Sequence, residues 1–253
     1  MFVILGLIAL GVGVLIGTVG VGGVLVIPAM VALGGLSTRV SMATALFSFF
    51  FTGTLGTFLY QRRGSIDWRT TAPLCLGVVS FGYVGVMANS VADPALLNFI
   101  LSLIIIFSGV FTLLPSSRLN LFSLSGKSPW YLPAMLGLGA FVGFCAGLTG
   151  VGGGVLSVPF MVVLGFAPLT ASGTSQVVQI VAAVSGTIGN LAYGSIDFTM
   201  AAWVSALEVC GALLGARIAH KSTSRQLRAL VAVVCILVGA VILVRSARAL
   251  FIG

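Results

Sequence analysis

Long apolar runs that carry almost no charge restrict the fold of this chain more than any other feature. Residues 101–114 and 230–244 are nearly continuous apolar stretches. Charged residues make up 6% of the 253 residues, whereas about 25% is usual in soluble domains. This composition excludes a soluble domain, and a membrane β-barrel would alternate apolar and polar residues along each strand. The sequence therefore predicts an all-α polytopic membrane protein.

The chain repeats itself at a spacing of about 130 residues. The motif Gly-Val-Gly-Gly at residues 20–23 returns at 150–153, and Gly-Ser-Ile-Asp at 64–67 returns at 194–197. Matches of this density indicate a duplicated unit. The predicted organisation is a first transmembrane repeat at residues 1–115, a cytoplasmic linker at 116–130 and a second transmembrane repeat at 131–253.

Each repeat contains about five apolar segments. They are residues 3–18, 24–34, 41–60, 70–90 and 96–114 in the first repeat and 132–148, 155–165, 172–192, 199–219 and 229–249 in the second. The second segment of each repeat corresponds to about 16 Å of helix, which is about half of the 30 Å hydrocarbon core. It is therefore either half of a broken helix or one arm of a re-entrant hairpin, and its backbone must be shielded from lipid.

The basic residues predict the orientation of the repeats, because cytoplasmic loops collect Lys and Arg. The first Gly-Ser-Ile-Asp loop carries Arg62, Arg63 and Arg69, whereas its copy carries Asp197 and no basic residue. The next loop reverses this asymmetry, with Asp93 in the first repeat and Arg217, Lys221, Arg225 and Arg228 in the second. We therefore predict two inverted repeats with a cytoplasmic linker. Because Arg245 and Arg248 would then lie outside, a parallel arrangement with a cytoplasmic C-terminus is the alternative.

The glycine motifs are the first candidate binding elements. Glycines that precede a short helix leave backbone N–H groups free at the positive end of the helix dipole, which suits an anion. We expect two such half-sites near the membrane midplane, formed by Gly20, Gly22, Gly23, Gly150, Gly152, Gly153 and Gly154. Close helix packing is the alternative for these residues. It is the interpretation for the small-xxx-small series Gly13 and Gly17, and Gly139, Gly143 and Gly147.

Polar residues recur at helical spacing along the third segment of each repeat. They are Ser41, Thr44, Ser48 and Thr52 in the first copy, and Ser172, Ser175 and Gln179 in the second, with Thr174 and Gln176 beside them. A polar stripe on an apolar membrane helix faces protein or water rather than lipid. We expect the substrate site to include Thr44, Ser48, Thr174, Ser175, Gln176 and Gln179. Hydrogen bonding between helices is the alternative role.

Three acidic residues have specific predicted roles. Glu208 is the only carboxylate well inside an apolar segment, where an ionised side chain costs about 2.5 to 3.5 kcal/mol on insertion scales. It is the candidate for proton coupling, or alternatively a neutral acid bonded to a neighbouring helix. Asp67 and Asp197 each precede an aromatic residue and the fourth segment, which is typical of helix N-caps.

The sequence predicts no cofactor, no metal site and no nucleic-acid partner. The single histidine, His220, lies next to Lys221 at a segment boundary, which disfavours a catalytic triad or a histidine metal site. The arginines near segment ends are expected to meet lipid headgroups. The expected partners are a small anionic substrate, membrane lipid and a second copy of the chain in a homodimer.

These motifs together resemble the TauE/SafE sulfite exporter family over nearly the whole chain. The second repeat fits best, through Gly147 to Pro159, Gly173-Thr174-Ser175, Gly186, Tyr193 to Asp197 and Gly211 to Gly215. The first repeat departs at Gly22-Gly23-Val24 and at Ala43-Thr44, which lacks a preceding glycine. The two half-sites are therefore expected to be unequal.

The resemblance implies a multi-pass transporter of the cell inner membrane that moves sulfite, sulfoacetate or another organosulfonate. Residue patterns alone indicate a secondary transporter with an anion site that works by alternating access, with proton coupling through Glu208. The alternatives are an anion channel and a non-transporting membrane assembly subunit. An enzymatic activity is not expected.

Overall fold

The computed structural model describes residues 2–19, 23–114, 129–218 and 225–251. Throughout these ranges the chain forms helices joined by short turns. Some predicted features lie outside the described residues, namely Gly20, Gly22, residues 116–128 of the linker, His220 and Lys221.

The helices of the two repeats follow the same order. The first repeat contains α1 (Phe2–Val19), a 3₁₀ turn (Gly23–Leu25), α2 (Val26–Gly34), α3 (Thr38–Arg62), α4 (Trp68–Val91) and α5 (Pro94–Leu113). The second contains α6 (Tyr131–Thr149), α7 (Gly154–Val163), α8 (Pro168–Tyr193), α9 (Phe198–Ile218) and α10 (Arg225–Phe251). The predicted helical segments are therefore confirmed in number and order.

Six helices in the described part of the chain are long and apolar enough to cross a membrane. They are α3, α4, α5 and α6, together with Phe198–Gly215 of α9 and Ala232–Leu250 of α10. The prediction of an all-α polytopic membrane protein is thus confirmed.

The short helices α2 and α7 are the returning arms of helical hairpins. The ring of Tyr131, at the start of α6, lies 6.4 Å from the ring of Phe166, just after α7. In the first repeat, Gly34 at the end of α2 lies beside Leu5 near the start of α1. Each short helix therefore runs back toward the end where the long arm began. This geometry selects the re-entrant hairpin over the broken helix.

A glycine motif lies between the two arms of each hairpin along the chain. We call residues 20–23 the first glycine tip, of which the structure describes Gly23, and residues 150–154 the second glycine tip. Both hairpins are covered by the other helices, and Gly23 and Gly150 to Gly154 are all buried. This burial provides the shielding from lipid that irregular backbone requires.

Helices of one repeat pack mainly on helices of the other, as α1 on α9, α4 on α6, α3 on α8 and α5 on α10. The backbones approach closely at the small-xxx-small glycines. A β-carbon at Gly13 or Gly17 would overlap the backbone of α9, and one at Gly139, Gly143 or Gly147 would overlap the backbone of α4. The packing role predicted for these glycines is therefore confirmed.

The helix pair α3 and α8 is antiparallel. Leu46, early in α3, lies against Gly186, late in α8, whereas Gly56, late in α3, lies against Gln176, early in α8. The loops at residues 64–67 and 194–197 consequently lie at opposite ends of the helix bundle. We call these ends the first-loop end and the second-loop end.

The pair α5 and α10 follows the same rule. Gly109, late in α5, contacts Ala232, early in α10, and Ile106 contacts Gly239 further along α10. Two pairs of equivalent helices therefore run in opposite directions. This relationship favours inverted repeats, whose orientation in the membrane stays a prediction.

Candidate functional site

The two glycine tips meet at one aromatic side chain, that of Phe49 in the middle of α3. A β-carbon at Gly23 would come within 2.6 Å of Cε1 on one edge of the ring, and one at Gly152 would come within 2.9 Å of Cδ2 on the other edge. The Phe49 side chain is only 1% exposed. The ring therefore fills the space between the two tips, and glycine at Gly23 and Gly152 is what allows this contact.

The backbone of the second glycine tip is folded in a way that favours glycine. Gly150 has φ +70° and Gly152 has φ +76°, a left-handed conformation that other residues adopt at a cost of about 1 to 2 kcal/mol. Gly150 also packs so closely on Met42 of α3 that a β-carbon would overlap its backbone. The tip is thus fixed by conformation as well as by contact.

The N-terminus of α7 is buried directly behind this turn. Gly153 occupies the N-cap position, and no side chain in the described part of the chain caps the helix there. The first N–H groups of a helix lack intrahelical partners, and their positive dipole end attracts anions. This end of α7 therefore offers free backbone N–H groups, and anion binding by Gly150, Gly152, Gly153 and Gly154 stays a prediction.

Gln179 joins the two central helices next to Phe49. Its Nε2 donates to the carbonyl oxygen of Phe49 at 3.3 Å and to Oγ1 of Thr52 at 3.0 Å. Both acceptors belong to α3, whereas Gln179 lies on α8. This predicted site residue therefore forms an interhelical link at the level of the glycine tips.

Gln176 lies one turn earlier on α8 and is 0% exposed. Among the described residues, neither its Oε1 nor its Nε2 has a hydrogen-bond partner. The amide lies against Gly56 of α3, where a β-carbon would overlap it. An unpaired buried amide costs about 1 to 3 kcal/mol, so Gln176 is suited to a ligand, a water molecule or another conformational state.

The predicted site threonines link helices to loops of the opposite repeat. The hydroxyl of Thr44 accepts a hydrogen bond from the backbone N–H of Asp197 at 3.1 Å. The hydroxyl of Thr174 lies 3.0 Å from that of Thr71, four residues after Asp67. These contacts join each Gly-Ser-Ile-Asp region to the third helix of the other repeat, α3 or α8.

Two predicted site serines bond within their own helices. Ser48 donates to the carbonyl oxygen of Ala45 at 2.8 Å, and Ser175 donates to that of Ser172 at 2.8 Å. Both serines are fully buried. The stripe on α3 is buried as well, since Ser41, Thr44 and Thr52 are at most 1% exposed, so it faces protein as predicted.

Glu208 lies in the middle of α9 and is 0% exposed. Neither carboxyl oxygen has a hydrogen-bond partner among the described residues. Its backbone packs against Gly13 of α1, and its side chain approaches the hydroxyl of Ser48 on α3. An acid that is isolated inside a membrane protein is a candidate for function rather than for structure.

Asp67 and Asp197 act as helix N-caps. The carboxylate of Asp67 accepts from the N–H of Arg69 at 3.1 Å, and that of Asp197 accepts from the N–H of Met200 at 2.9 Å. The predicted capping role is confirmed for both residues.

Comparison with known proteins assigns this arrangement to a family. A family model described as Sulfite exporter TauE/SafE matches residues 5–242. The chain belongs to the TauE/SafE family. The resemblance seen in the glycine motifs is thereby confirmed, and the prediction of a multi-pass protein of the inner (plasma) membrane is confirmed together with it.

Curated relatives of this TauE/SafE protein are named as transporters. The chain is 26% identical to the probable membrane transporter protein YunE of Bacillus subtilis over 271 residues, covering 94% of each chain. It is also 26% identical to the probable membrane transporter protein YdhB of the same organism, over 81% of this chain and 85% of that one. No solved structure gives a significant match.

The structure brings most of the predicted site residues of this TauE/SafE protein to the middle of α3 and α8. Phe49 is contacted by Gly23, by Gly152 of the second glycine tip and by Gln179. Gln176 lies one helical turn before Gln179 on α8. Thr44 lies toward the second-loop end, and Thr174 lies toward the first-loop end. Glu208 lies on the α1 and α9 side of α3. Among the described residues, the predicted set therefore comprises a central group that includes Ser48, three outlying residues (Thr44, Thr174 and Ser175) and one acid on a different helix, Glu208.

Sequence reasoning missed Phe49 and Asn89. Phe49 is one of four phenylalanines among residues 47–51, interrupted only by Ser48, and nothing in the sequence marks one of the four rings as special. Asn89 is buried near the end of α4 and donates to the carbonyl oxygen of Leu148 at 2.6 Å. The only signal for Asn89 was a polar amide in an apolar segment, the same signal that identified Gln176.

Proposed function

We propose that this TauE/SafE protein is a secondary transporter that moves a small sulfur-containing anion, such as sulfite or an organosulfonate, by alternating access around the glycine tips. The observation that carries the proposal is the meeting of Gly23 and Gly152 on the two edges of the Phe49 ring. Transporter sites of this type lie near the bilayer midplane, where interrupted helices from two repeats meet.

The anion would bind at the start of α7. The backbone N–H groups that follow Gly153 are buried and lack a side-chain cap in the described part of the chain. Gln176, whose amide has no partner among the described residues, adds a neutral donor on the facing helix. Neutral donors can bind an anion without burying a compensating cation, which fits the low charge of the chain.

Phe49 would act as the movable barrier. Its ring occupies the space between the tips and is 1% exposed, so an anion that contacts both tips requires the ring to move. Antiparallel α3 and α8 allow the same barrier to open toward either end when the repeats rock against one another. In this mechanism the structure would correspond to an occluded conformation.

Glu208 would carry the coupled proton. It is fully buried, and neither oxygen is paired among the described residues, so a proton is the simplest compensation for its charge. Its position near Ser48 on α3 connects the acid to the helix that carries Phe49. A proton that moves with the anion would reduce the charge crossing the membrane.

Sulfur oxyanions are the proposed substrate class because of the family description, Sulfite exporter TauE/SafE. The test is uptake of radiolabelled sulfite by purified protein in liposomes with an imposed pH gradient. We expect accumulation above equilibrium that collapses when the gradient is dissipated. Passive flux without accumulation would instead identify a channel, and no flux of sulfite, thiosulfate or sulfoacetate would overturn the substrate class.

A further inference from the structure

A polar pocket opens at the second-loop end, away from the Phe49 contact. Its volume is about 330 Å³, and it lies between the start of α3, the ends of α4 and α8 and the loop at residues 194–197. Its polar lining includes Ser37, Arg39, Asn89, Ser90, Asn190 and Ser195. We call it the Arg39 pocket.

The Arg39 pocket has a basic lining. Arg39 is the second residue of α3, in the first turn of that helix. It donates to the carbonyl oxygen of Ala92, a neutral acceptor that leaves the charge in place. The lining includes no carboxylate among the described residues. Guanidinium groups bind oxyanions through paired N–H bonds.

The other charged groups at this end, among the described residues, lie outside the lining of the pocket. Asp93 and Asp197 are occupied as N-caps, accepting from the N–H groups of Ala95 and Met200, so each offsets a helix dipole. Arg245 and Arg248 belong to the end of α10 and are not part of the lining. Among the described residues that line the pocket, Arg39 is therefore the one charged group.

The floor of the Arg39 pocket contacts residues that adjoin the second glycine tip. Asn89 donates from Nδ2 to the carbonyl oxygen of Leu148 at 2.6 Å and to Sδ of Met42 at 3.4 Å. Leu148 lies two residues before Gly150, and Met42 is the residue against which Gly150 packs. One layer of side chains thus separates the pocket from the tip.

The pocket breaks the symmetry of the repeats. Arg39 is the second residue of α3, and the second residue of α8 is Leu169. The equivalent place at the first-loop end therefore lacks a basic residue on its long helix. The arginines of the first-loop end, Arg62, Arg63 and Arg69, instead lie at the end of α3 and the start of α4.

We propose that the Arg39 pocket is a capture site for a small oxyanion, such as a sulfonate, at the second-loop end of the protein. Arg39 binds the anion, the hydroxyls of Ser37 and Ser195 complete its coordination, and the Asn89 layer separates it from the second glycine tip. The proposal rests on anion transport for its role, but its binding chemistry stands independently.

The test uses Ser195→Cys in the full chain, reconstituted in nanodiscs, and the rates at which two thiol reagents label it. One reagent is the anionic 2-sulfonatoethyl methanethiosulfonate, and the other is its cationic trimethylammonium analogue. The unsubstituted chain gives the background from the native cysteines, of which Cys210 is exposed. We expect the ratio of anionic to cationic labelling rates to fall about tenfold on adding Arg39→Gln.

Arg245→Gln is the matched control, because it removes the same charge from the same end outside the pocket. It should leave the labelling ratio nearly unchanged. Arg39→Lys should keep most of the ratio but lose protection of the cysteine by methanesulfonate, since lysine lacks the paired donors. An unchanged ratio in Arg39→Gln, or an equal fall in Arg245→Gln, overturns the proposal.

Sulfite uptake by the unsubstituted chain separates this proposal from the proposed function. Arg39-dependent labelling without any uptake of sulfite or thiosulfate would support the capture site and contradict the transport of these anions. Uptake of sulfite together with a labelling ratio that Arg39→Gln leaves unchanged would support transport and overturn the capture site. If methanesulfonate protects Ser195→Cys from labelling and Arg39→Gln abolishes this protection, the capture site is supported without any transport assay.

Discussion

The amide nitrogen of Gln179 lies 3.3 Å from the carbonyl oxygen of Phe49, and the two residues are 130 positions apart in the chain. That separation is the repeat spacing itself, so residues at nearly equivalent places in the two repeats touch each other. The contact lies where α3 and α8 cross and where the glycine tips approach the Phe49 ring. A movement of one repeat relative to the other is therefore expected to alter the hydrogen bond between Gln179 and Phe49.

Substitution of Glu208 tests the proton-coupling role. Glu208→Gln keeps the shape of the side chain but removes its ionisable group. We expect accumulation of sulfite driven by a pH gradient to be lost in liposomes, while exchange of internal for external sulfite continues. Ser205→Ala, one turn away on α9, removes a hydroxyl that bonds within its own helix and should leave accumulation intact. Unchanged accumulation in Glu208→Gln would exclude this residue as the proton carrier.

Substitution of glycine tests the conformation of the second glycine tip. Gly152→Ala places a β-carbon at φ +76° and within 2.9 Å of the Phe49 ring, so it should cost about 1 to 2 kcal/mol or more. Gly137→Ala is the control, because no atom lies within 4 Å of a β-carbon there, and alanine favours helix. Thermal unfolding of the purified proteins should show a lower Tm for the first variant only. Equal Tm values would mean that the tip is not packed as described.

Phe49→Leu tests the barrier between the glycine tips. A smaller side chain leaves space between Gly23 and Gly152, and we expect sulfite flux without a pH gradient to rise severalfold. The loss of packing should cost about 1 to 3 kcal/mol. Phe51→Leu provides the control, because Phe51 is 42% exposed on the outer face of α3. A Phe49→Leu protein that is folded and shows only coupled flux would refute the barrier role.

The two glutamines of α8 should respond in opposite ways. Gln179→Leu removes two hydrogen bonds to α3 and should lower stability by about 1 to 3 kcal/mol. Gln176→Leu removes an amide without a described partner, so stability should stay the same or rise while sulfite uptake falls. Tm and uptake measured on both variants check this. Destabilisation by Gln176→Leu equal to that by Gln179→Leu would indicate a structural role instead.

Reporter fusions test the orientation of the repeats. The loops at residues 64–67 and 194–197 lie at opposite ends of the antiparallel helices α3 and α8. Fusions of a periplasm-active and a cytoplasm-active reporter after residues 66 and 196 should therefore report opposite sides, with residue 66 in the cytoplasm. The same side for both fusions would exclude inverted repeats.

Much of the helix pattern could be predicted from sequence because it depends on local properties. The length of an apolar run decides whether a helix can span the membrane, and aspartate before an aromatic residue marked two helix starts. The small-xxx-small glycines were assigned correctly for a similar reason, since their spacing places them on one helix face. The duplication could also be predicted from the sequence, because the two copies of Gly-Ser-Ile-Asp are identical.

The direction of the short helices, the position of Phe49 and the Arg39 pocket were decided only by the tertiary structure. Each depends on contacts between residues far apart in the chain, as between Gly152 and Phe49 or between Asn89 and Leu148. Periodicity shows which face of a helix is buried but not which partner covers it. The partner is fixed by how the helices of the described residues pack together in three dimensions, and that packing places Phe49, rather than its neighbouring phenylalanines, between the glycine tips.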